Sequence, residues 1–566
     1  MTDPPTTAAA TSGGGGTFYV TTPIYYVNDK PHLGHVYTTM VADVVARYHR
    51  LRGDDTFFLT GVDEHAAKVA DKAAEHGKTP QEWADLNAAQ FRGTFEKLEM
   101  TNDDFVRTSS DHHKQKVTEY VAALIASDDI YPGTYEGWYD AGQEEYVPDN
   151  KAQAQDYKSE VNGKPLVKKS EKNYFFRLSK YVPALLEHFE ANPQFVQPDA
   201  RRNEIVNRIK EAQDVPISRT GSGGWGIPVP GDEDQTIYVW IDALFNYLTY
   251  VDRDERRHYW TYVNGPDRFQ LFASGGGATH FIAKDILWFH AAIWPGMLLA
   301  LQKCPGYEWL NLPGQVYSHS YWVSESGEKM SKSLGNFLDP AAIDNYVEEF
   351  GLDALRYFLA TRGPLGTTDS AFSPDLFIEV YNADLANTFG NSVSRVTNMI
   401  GKYFGGVAPS PGPVPVIDTD TPTSKYVPPS DTPWDLIGDY ETYFELLRLD
   451  TVAEYSALCQ VNMVDIYIEK TQPFKLAKDP GNLPMVGTIL YNCVESLRIA
   501  SLMLWPFIPD ACEKFWSRIG CDYAEQMRAN GGKGKLDEWV KWGRLEPSTP
   551  IEKGEPLFPR YQVEKK

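Results

Sequence analysis

The chain has 566 residues, 42% of them apolar and 13% aromatic, with a formal net charge of −23. That length exceeds a single core and predicts about three or four domains, while the apolar share excludes wholesale disorder. No apolar run approaches the roughly 20 residues needed to span a bilayer, and the acidic balance, taken by itself, argues against an electrostatic nucleic-acid binder.

In chain order, "MTDPPTTAAATSGGGG" has no basic residue and no apolar core, so it reads as a flexible tail on a cytoplasmic protein rather than a signal or transit peptide. "TFYVTT" (17–22) reads as a buried strand, and Pro31 suits the first position of a helix. Leu33, Val36, Tyr37, Met40, Val41, Val44, Val45 and Tyr48 then recur at offsets of three and four, which predicts one continuous apolar helix face. "DTFFLT" (55–60) is a second strand, "AAKVADKAAEHG" a helix ended by Gly77, and Thr79 with Pro80 opens another. This alternation predicts a parallel α/β sheet of Rossmann type.

Between about 115 and 225 the alternation breaks into short strand-like pieces such as "YEGWYD" and "NYFFRLS", the signature of an insertion. It resumes with "TIYVWIDALFNYL" (236–248), a helix from Asp285 to about Leu301, and a strand "QVYSHSYWVS" (315–324). After about 375 the pattern is helical, interrupted by the stretch 408–433, whose eight prolines exclude regular helix. Basic clusters at 164–172 and 201–210 carry four Lys or Arg each, and either alone reads as solvated surface. Five scattered cysteines form no CxxC pair, so neither a disulfide framework nor a cysteine zinc knuckle is signalled.

Two short motifs carry chemistry. "HLGH" (32–35) sits where a helix N-terminus follows a strand, an anion site by virtue of its unpaired N–H groups and dipole. Gly34 leaves room for a flat ring, and His32 and His35 offer donors to phosphate oxygens. Taken alone, the pair reads first as surface histidines. "KMSKS" (329–333) adds Lys329 and Lys332 as movable point charges suited to polyphosphate, with Ser331 and Ser333 beside them.

Both motifs, in this order on an α/β background, resemble the class I aminoacyl-tRNA synthetases, whose signatures are HIGH and KMSKS. Further blocks resemble the methionyl-tRNA synthetases over about residues 17 to 520: "TTPIYYVNDKPHLGH" (21–35), "FFLTGVDEH" (57–65), "YVWIDA" (238–243), "HFIAKDILWFH" (280–290) and "KMSKSLGN" (329–336). The resemblance implies an α/β Rossmann-type parallel-sheet catalytic domain in two halves (17–114 and 226–374) around an inserted connective domain (115–225). An all-α helical-bundle anticodon-binding domain (375–566) then follows the tail (1–16).

It also implies the activity of a methionine-tRNA ligase: methionine and ATP give methionyl-adenylate and pyrophosphate, and methionine passes to the 3′-terminal adenosine of tRNA(Met). By position, His32, His35, Lys329 and Lys332 carry catalysis, and Gly34, Lys284, Asp285, Ser331 and Ser333 meet ATP, which brings Mg²⁺. Asp63 holds the substrate ammonium. Tyr26, Trp240, Ala243, Leu244, Tyr247 and His290 form the side-chain pocket, whose aromatic character suits a polarizable thioether. Asn387, Asn391 and Arg395, spaced by four, share a helix face and read the CAU anticodon together with Phe474.

Departures from the family pattern sharpen the expectation. Phe474 stands where many relatives have a stacking tryptophan, and Ala66 replaces the glycine after "DEH". Asp140 and Gln143 occupy sites of zinc-binding cysteines, which predicts an insertion without zinc. The chain ends soon after the helical domain, which predicts a monomer. A branched-chain or cysteine ligase of the same class, or a silent tRNA-binding paralogue, are the rival readings. Missing zinc ligands, an insertion too short for an editing domain, and the four intact motif residues stand against them.

Overall fold

The computed structural model describes residues 16–140, 145–147, 149–220, 224–261, 277–325, 327, 338–412 and 433–562. Nearly all of the tail, Gln143, the centre of the proline-rich stretch and the segment holding Lys329, Ser331, Lys332 and Ser333 lie outside the described residues.

The first half runs β1 (Thr17–Tyr26), α1 (Leu33–Arg52), β2 (Asp55–Asp63), α2 (Ala67–Glu75), α3 (Pro80–Lys97), β3 (Asp104–Arg107) and α4 (Asp111–Ala126). Local signals explain the boundaries. Thr79 and Glu82 form a capping box at the start of α3, each satisfying the other's backbone N–H. Gly53 closes α1 at φ 102°, and a Cβ there would meet the Gly534 carbonyl oxygen at 2.9 Å.

Two longer strands, β4 (Ile130–Asp140) and β5 (Val167–Phe176), pair antiparallel from Ile130 opposite Phe176 to Tyr139 opposite Val167. They are the core of a separate four-stranded antiparallel layer. The short strand β6 (Val196–Gln197) follows, then α5 (Val239–Thr249), β7 (Thr279–Ala283), α6 (Trp294–Leu301) and β8 (Gln315–His319). The main sheet has the order β3-β2-β1-β7-β8-β6, with every neighbouring pair parallel. Thus β6, which falls inside the stretch read as an insertion, forms an edge of the main sheet. The chain steps from β1 outward to β3 and later returns on the other side as β7, so β1 and β7 flank the topological switch point.

Several expected elements differ in detail. Pro31 precedes α1 by two residues, and His32 is the cap. The expected helix from Asp285 is a tight 3-10 turn, then a π-helical turn Phe289–Ile293, then α6. The expected strand 315–324 stops at His319, and Trp322–Val323 pairs instead with Ser370–Ala371.

From α7 (Leu352–Arg362) onward the chain is mainly helical, including α8 (Asn391–Phe404), α9 (Cys459–Thr471) and α10 (Leu483–Leu504). Helix α1 is buried almost all round because it lies between the sheet and these helices. At its C-terminal end Tyr48 stacks on Phe444 at 4.0 Å, an arrangement contributing about 0.5–1.5 kcal/mol beyond area burial.

Candidate active site

A cleft of about 560 Å³ opens at the carboxyl ends of β1, β2 and β7, where open α/β sheets bind ligands. Its walls include Tyr26, His32, Gly34, His35, Asp63, Trp240, Ala243, Leu244, Tyr247, Asp285 and His290, every sequence-predicted small-ligand residue among those described except Lys284. The sheet explains the convergence: Tyr26 and Asp63 are register partners at the ends of β1 and β2.

One wall is apolar and aromatic. Trp240 stacks on Phe289 at 4.2 Å with the rings 11° apart, and Tyr26 meets Trp240 edge-on at 6.1 Å. Deeper in, the Tyr247 hydroxyl donates to His290 Nε2 at 2.8 Å, while His290 Nδ1–H donates to the Ile286 carbonyl at 3.0 Å. Burial pulls the His290 pKa down to about 4, so the ring is neutral and its tautomer fixed. His290 lies within the π-helical turn, a local widening often found at functional positions. A neutral, unbranched, polarizable side chain fits such a wall.

The wall is carried by one face of α5. Trp240, Ala243, Leu244 and Tyr247 recur at helical spacing toward the cleft, and Asp242, Asn246 and Thr249 form the opposite, buried polar face. Asp242 accepts from His65 Nδ1 at 2.6 Å and from His113 Nε2 at 2.7 Å. Burial alone would raise this carboxyl, but the two imidazoles outweigh it and hold it at about 2.

The histidine motif is arranged differently from the sequence expectation. Gly34 N–H donates to His32 Nδ1 at 3.0 Å, and His32 N–H donates to His35 Nδ1 at 3.2 Å, so the two rings cap the helix themselves, stacked at 3.7 Å. The Leu33 N–H is taken by the Leu338 carbonyl at 3.2 Å. The anion site expected from unpaired N–H groups at the start of α1 is therefore filled, at Leu33 and Gly34, by the protein's own acceptors. Because a backbone N–H can only donate, both Nδ1 atoms are acceptors and each neutral ring carries its proton on Nε2. The space beside Gly34 belongs to the His32 ring: a Cβ there would lie 2.9 Å from His32 Cε1.

At the other end of the cleft lie residues the sequence reading did not single out. His319 Nδ1–H donates to the Ser320 carbonyl at 2.7 Å, and its Nε2 accepts from Thr38 at 2.8 Å, tying β8 to α1. Burial lowers its pKa to about 4. Tyr321 also lines this end. Their signal was positional: His319 ends the last core strand and Tyr321 follows it, just ahead of "KMSKS". Lys284 stands outside the cleft lining, its Nζ on Asp369 Oδ1 at 2.6 Å.

Asn387 and Asn391 are exposed and Arg395 is partly so, on the helical run through Tyr381–Gly390 and α8. The first part of that run is π-helical rather than the α-helix that the spacing of four implied. Arg395 lies 3.4 Å from Asp465 of α9, and Phe474, just beyond α9, is 40% exposed. Among the described residues no three His, Cys, Asp or Glu side chains converge as a metal set. No described helix is long and apolar enough to cross a membrane.

The chain as a whole is similar to known proteins. The family model described as tRNA synthetases class I (M) matches residues 18–155 and 151–397. A Methionine--tRNA ligase from Streptomyces coelicolor is 39% identical over 96% of this chain and 97% of its own length. That of Halalkalibacterium halodurans is 37% identical over 97% of this chain and 79% of its own. The structure of Mycobacterium tuberculosis methionyl-tRNA synthetase in complex with methionyl-adenylate superposes with a TM-score of 0.81 at 32% identity, covering 96% of this chain and 100% of that one. In sequence and in fold alike, this chain belongs to the class I tRNA synthetases, in the methionine–tRNA ligase family.

Proposed function

We infer that the chain activates methionine with ATP and transfers it to tRNA(Met). A methionine carboxylate oxygen attacks the α-phosphorus, the bond to the β-phosphate oxygen breaks, and pyrophosphate leaves. A hydroxyl of the terminal tRNA adenosine then attacks the activated carbonyl, and AMP leaves. The single observation that supports the substrate best is a neutral aromatic pocket with one buried carboxylate, Asp63, at its rim. That combination suits an amino acid with an unbranched apolar side chain and a free ammonium group.

No protein side chain needs to bond covalently to substrate, so catalysis rests on positioning and on charge stabilisation. In this reading the Nε2–H groups of His32 and His35 donate to the phosphates. Lys329 and Lys332 neutralise the departing pyrophosphate, with Ser331 and Ser333 beside them, and Mg²⁺ enters with ATP as part of the substrate. Asp285 accepts from the ribose, and Gly34 and Lys284 flank the nucleotide. Asn387, Asn391, Arg395 and Phe474 read the CAU anticodon, the antiparallel layer around β4 and β5 forms the connective domain while β6 stays with the main sheet, and the protein acts as a cytoplasmic monomer.

Amino-acid-dependent exchange of labelled pyrophosphate into ATP, run across all twenty amino acids, tests the reading. Exchange with methionine alone supports it; exchange with a different amino acid overturns the pocket assignment, and none with any overturns the activity.

A further inference from the structure

The polar face of α5 is absent from the cleft lining, and among the described residues it carries a buried hydrogen-bond network behind it. His65 follows Asp63 by two residues, and its Nδ1–H donates to one oxygen of Asp242; His113, from α4, donates to the other. All three side chains are buried. His113 continues to Thr249 on the same face of α5 at 3.0 Å.

The turn that holds Asp63 and His65 is pinned from other sides as well. Glu64 N–H donates to Thr108 Oγ1 at 2.9 Å, Glu64 Oε1 accepts from Arg107 Nε at 2.8 Å, and Trp225 Nε1 donates to the Glu64 carbonyl at 2.6 Å. Trp225 also packs edge-on against His65 at 5.2 Å. The carboxylate is thus the one direct side-chain bridge, among the hydrogen bonds named here, between this turn and the helix that bears the aromatic wall.

A buried carboxylate held by two imidazoles is an unusual way to stabilise a core, since well-packed apolar residues often do as well or better. Such a network restricts geometry instead, because each member accepts or donates in one arrangement only. We propose that Asp242, acting through His65 and His113, is a positioning residue that fixes Asp63 and the α5 wall relative to each other and so sets the affinity for methionine. The proposal rests on the reading of Asp63 and the α5 wall as the methionine site.

Asp242→Asn tests it, because the two imidazoles donate to different carboxylate oxygens and the amide puts an NH2 donor in place of one of them. In pyrophosphate exchange the methionine KM should rise about tenfold while the ATP KM stays within about twofold, a split that a general loss of folded protein does not produce. His65→Gln should show the same split, and it decides alone should Asp242→Asn lose its circular-dichroism signature. The combined variant should raise the methionine KM by less than the product of the single effects.

An unchanged methionine KM in folded variants, or methionine and ATP KM values rising together, overturns the proposal. Asp63→Asn and Tyr247→Ala run alongside separate the two readings. If neither raises the methionine KM, the pocket assignment has failed; if both do and the bridge variants do not, only the bridge has.

Discussion

On the proposed reading, the cleft and the exposed face carrying Asn387, Asn391 and Arg395 meet their ligands in opposite ways. In the cleft, Tyr247 and His290 are buried and each polar atom has a fixed partner before any ligand arrives. On the helical face, Asn387 and Asn391 are exposed, and Arg395 has only a loose ion pair with Asp465. The difference teaches that a small ligand is met by a preformed surface whose ordering cost is already covered, whereas a large partner is met by side chains still free to turn.

That contrast can be broken at either end. The largest effect is expected for Lys332→Ala, which should slow single-turnover adenylate formation by on the order of 10², as loss of a transition-state donor does; an unchanged rate would remove Lys332 from the mechanism. Asp63→Asn should raise the methionine KM by roughly 10- to 100-fold, the range for losing a charged hydrogen-bond partner, with the ATP KM unmoved. Equal rises for both substrates would place Asp63 elsewhere in the reaction.

Smaller effects sharpen the comparison. Tyr247→Phe leaves the buried His290 Nε2 without its donor and should raise the methionine KM about tenfold by steady-state exchange. Arg395→Ala should lower kcat/KM for tRNA charging by about tenfold while exchange stays at parental rate. Its melting temperature should barely move, since a partly exposed ion pair contributes about 0–1 kcal/mol; loss in both reactions would contradict a role confined to tRNA.

The smallest expected effect is none. Burial keeps the His290 pKa at about 4, so the ring stays neutral throughout the range above that value. The methionine KM should therefore be flat from about pH 7.5 down to about pH 5.5, and a rise centred near 6.5, the ordinary imidazole value, would show that the ring titrates in the working protein.

Much of this was legible in the sequence because periodicity and motif blocks are local signals. The apolar offsets of α1 and the helix start at Thr79 and Pro80 required no tertiary knowledge. Other features depend on distant partners. β6 is two residues long and carries no pattern of its own; only its pairing with β8 makes it a strand. The π-helical turn at 289–293 was invisible because its residues are buried almost all round, so a shift in period leaves no mark, and the one at 381–390 because its buried residues Tyr381, Leu385, Ala386, Phe389 and Gly390 still recur at offsets an α-helix would give. The self-capping of His32 and His35 was missed because imidazole is not among the usual N-cap side chains. The bridge through Asp242 spans sequence separations of 177 and 129 residues, and each of its members reads separately as part of a motif or a helix.

The two-faced character of α5 also bears on redesign. Ala243, Leu244 and Tyr247 line the cleft, while Asp242 and Thr249 connect to the histidine bridge on the far side of the same helix. On the proposed reading, substrate range and helix placement are separable variables, a favourable starting point for loading tRNA with amino acids of other lengths. A library varying the three front positions should yield more active members with Asp242 held constant than with it randomised, and the ratio of the two yields would measure how evolvable this pocket is.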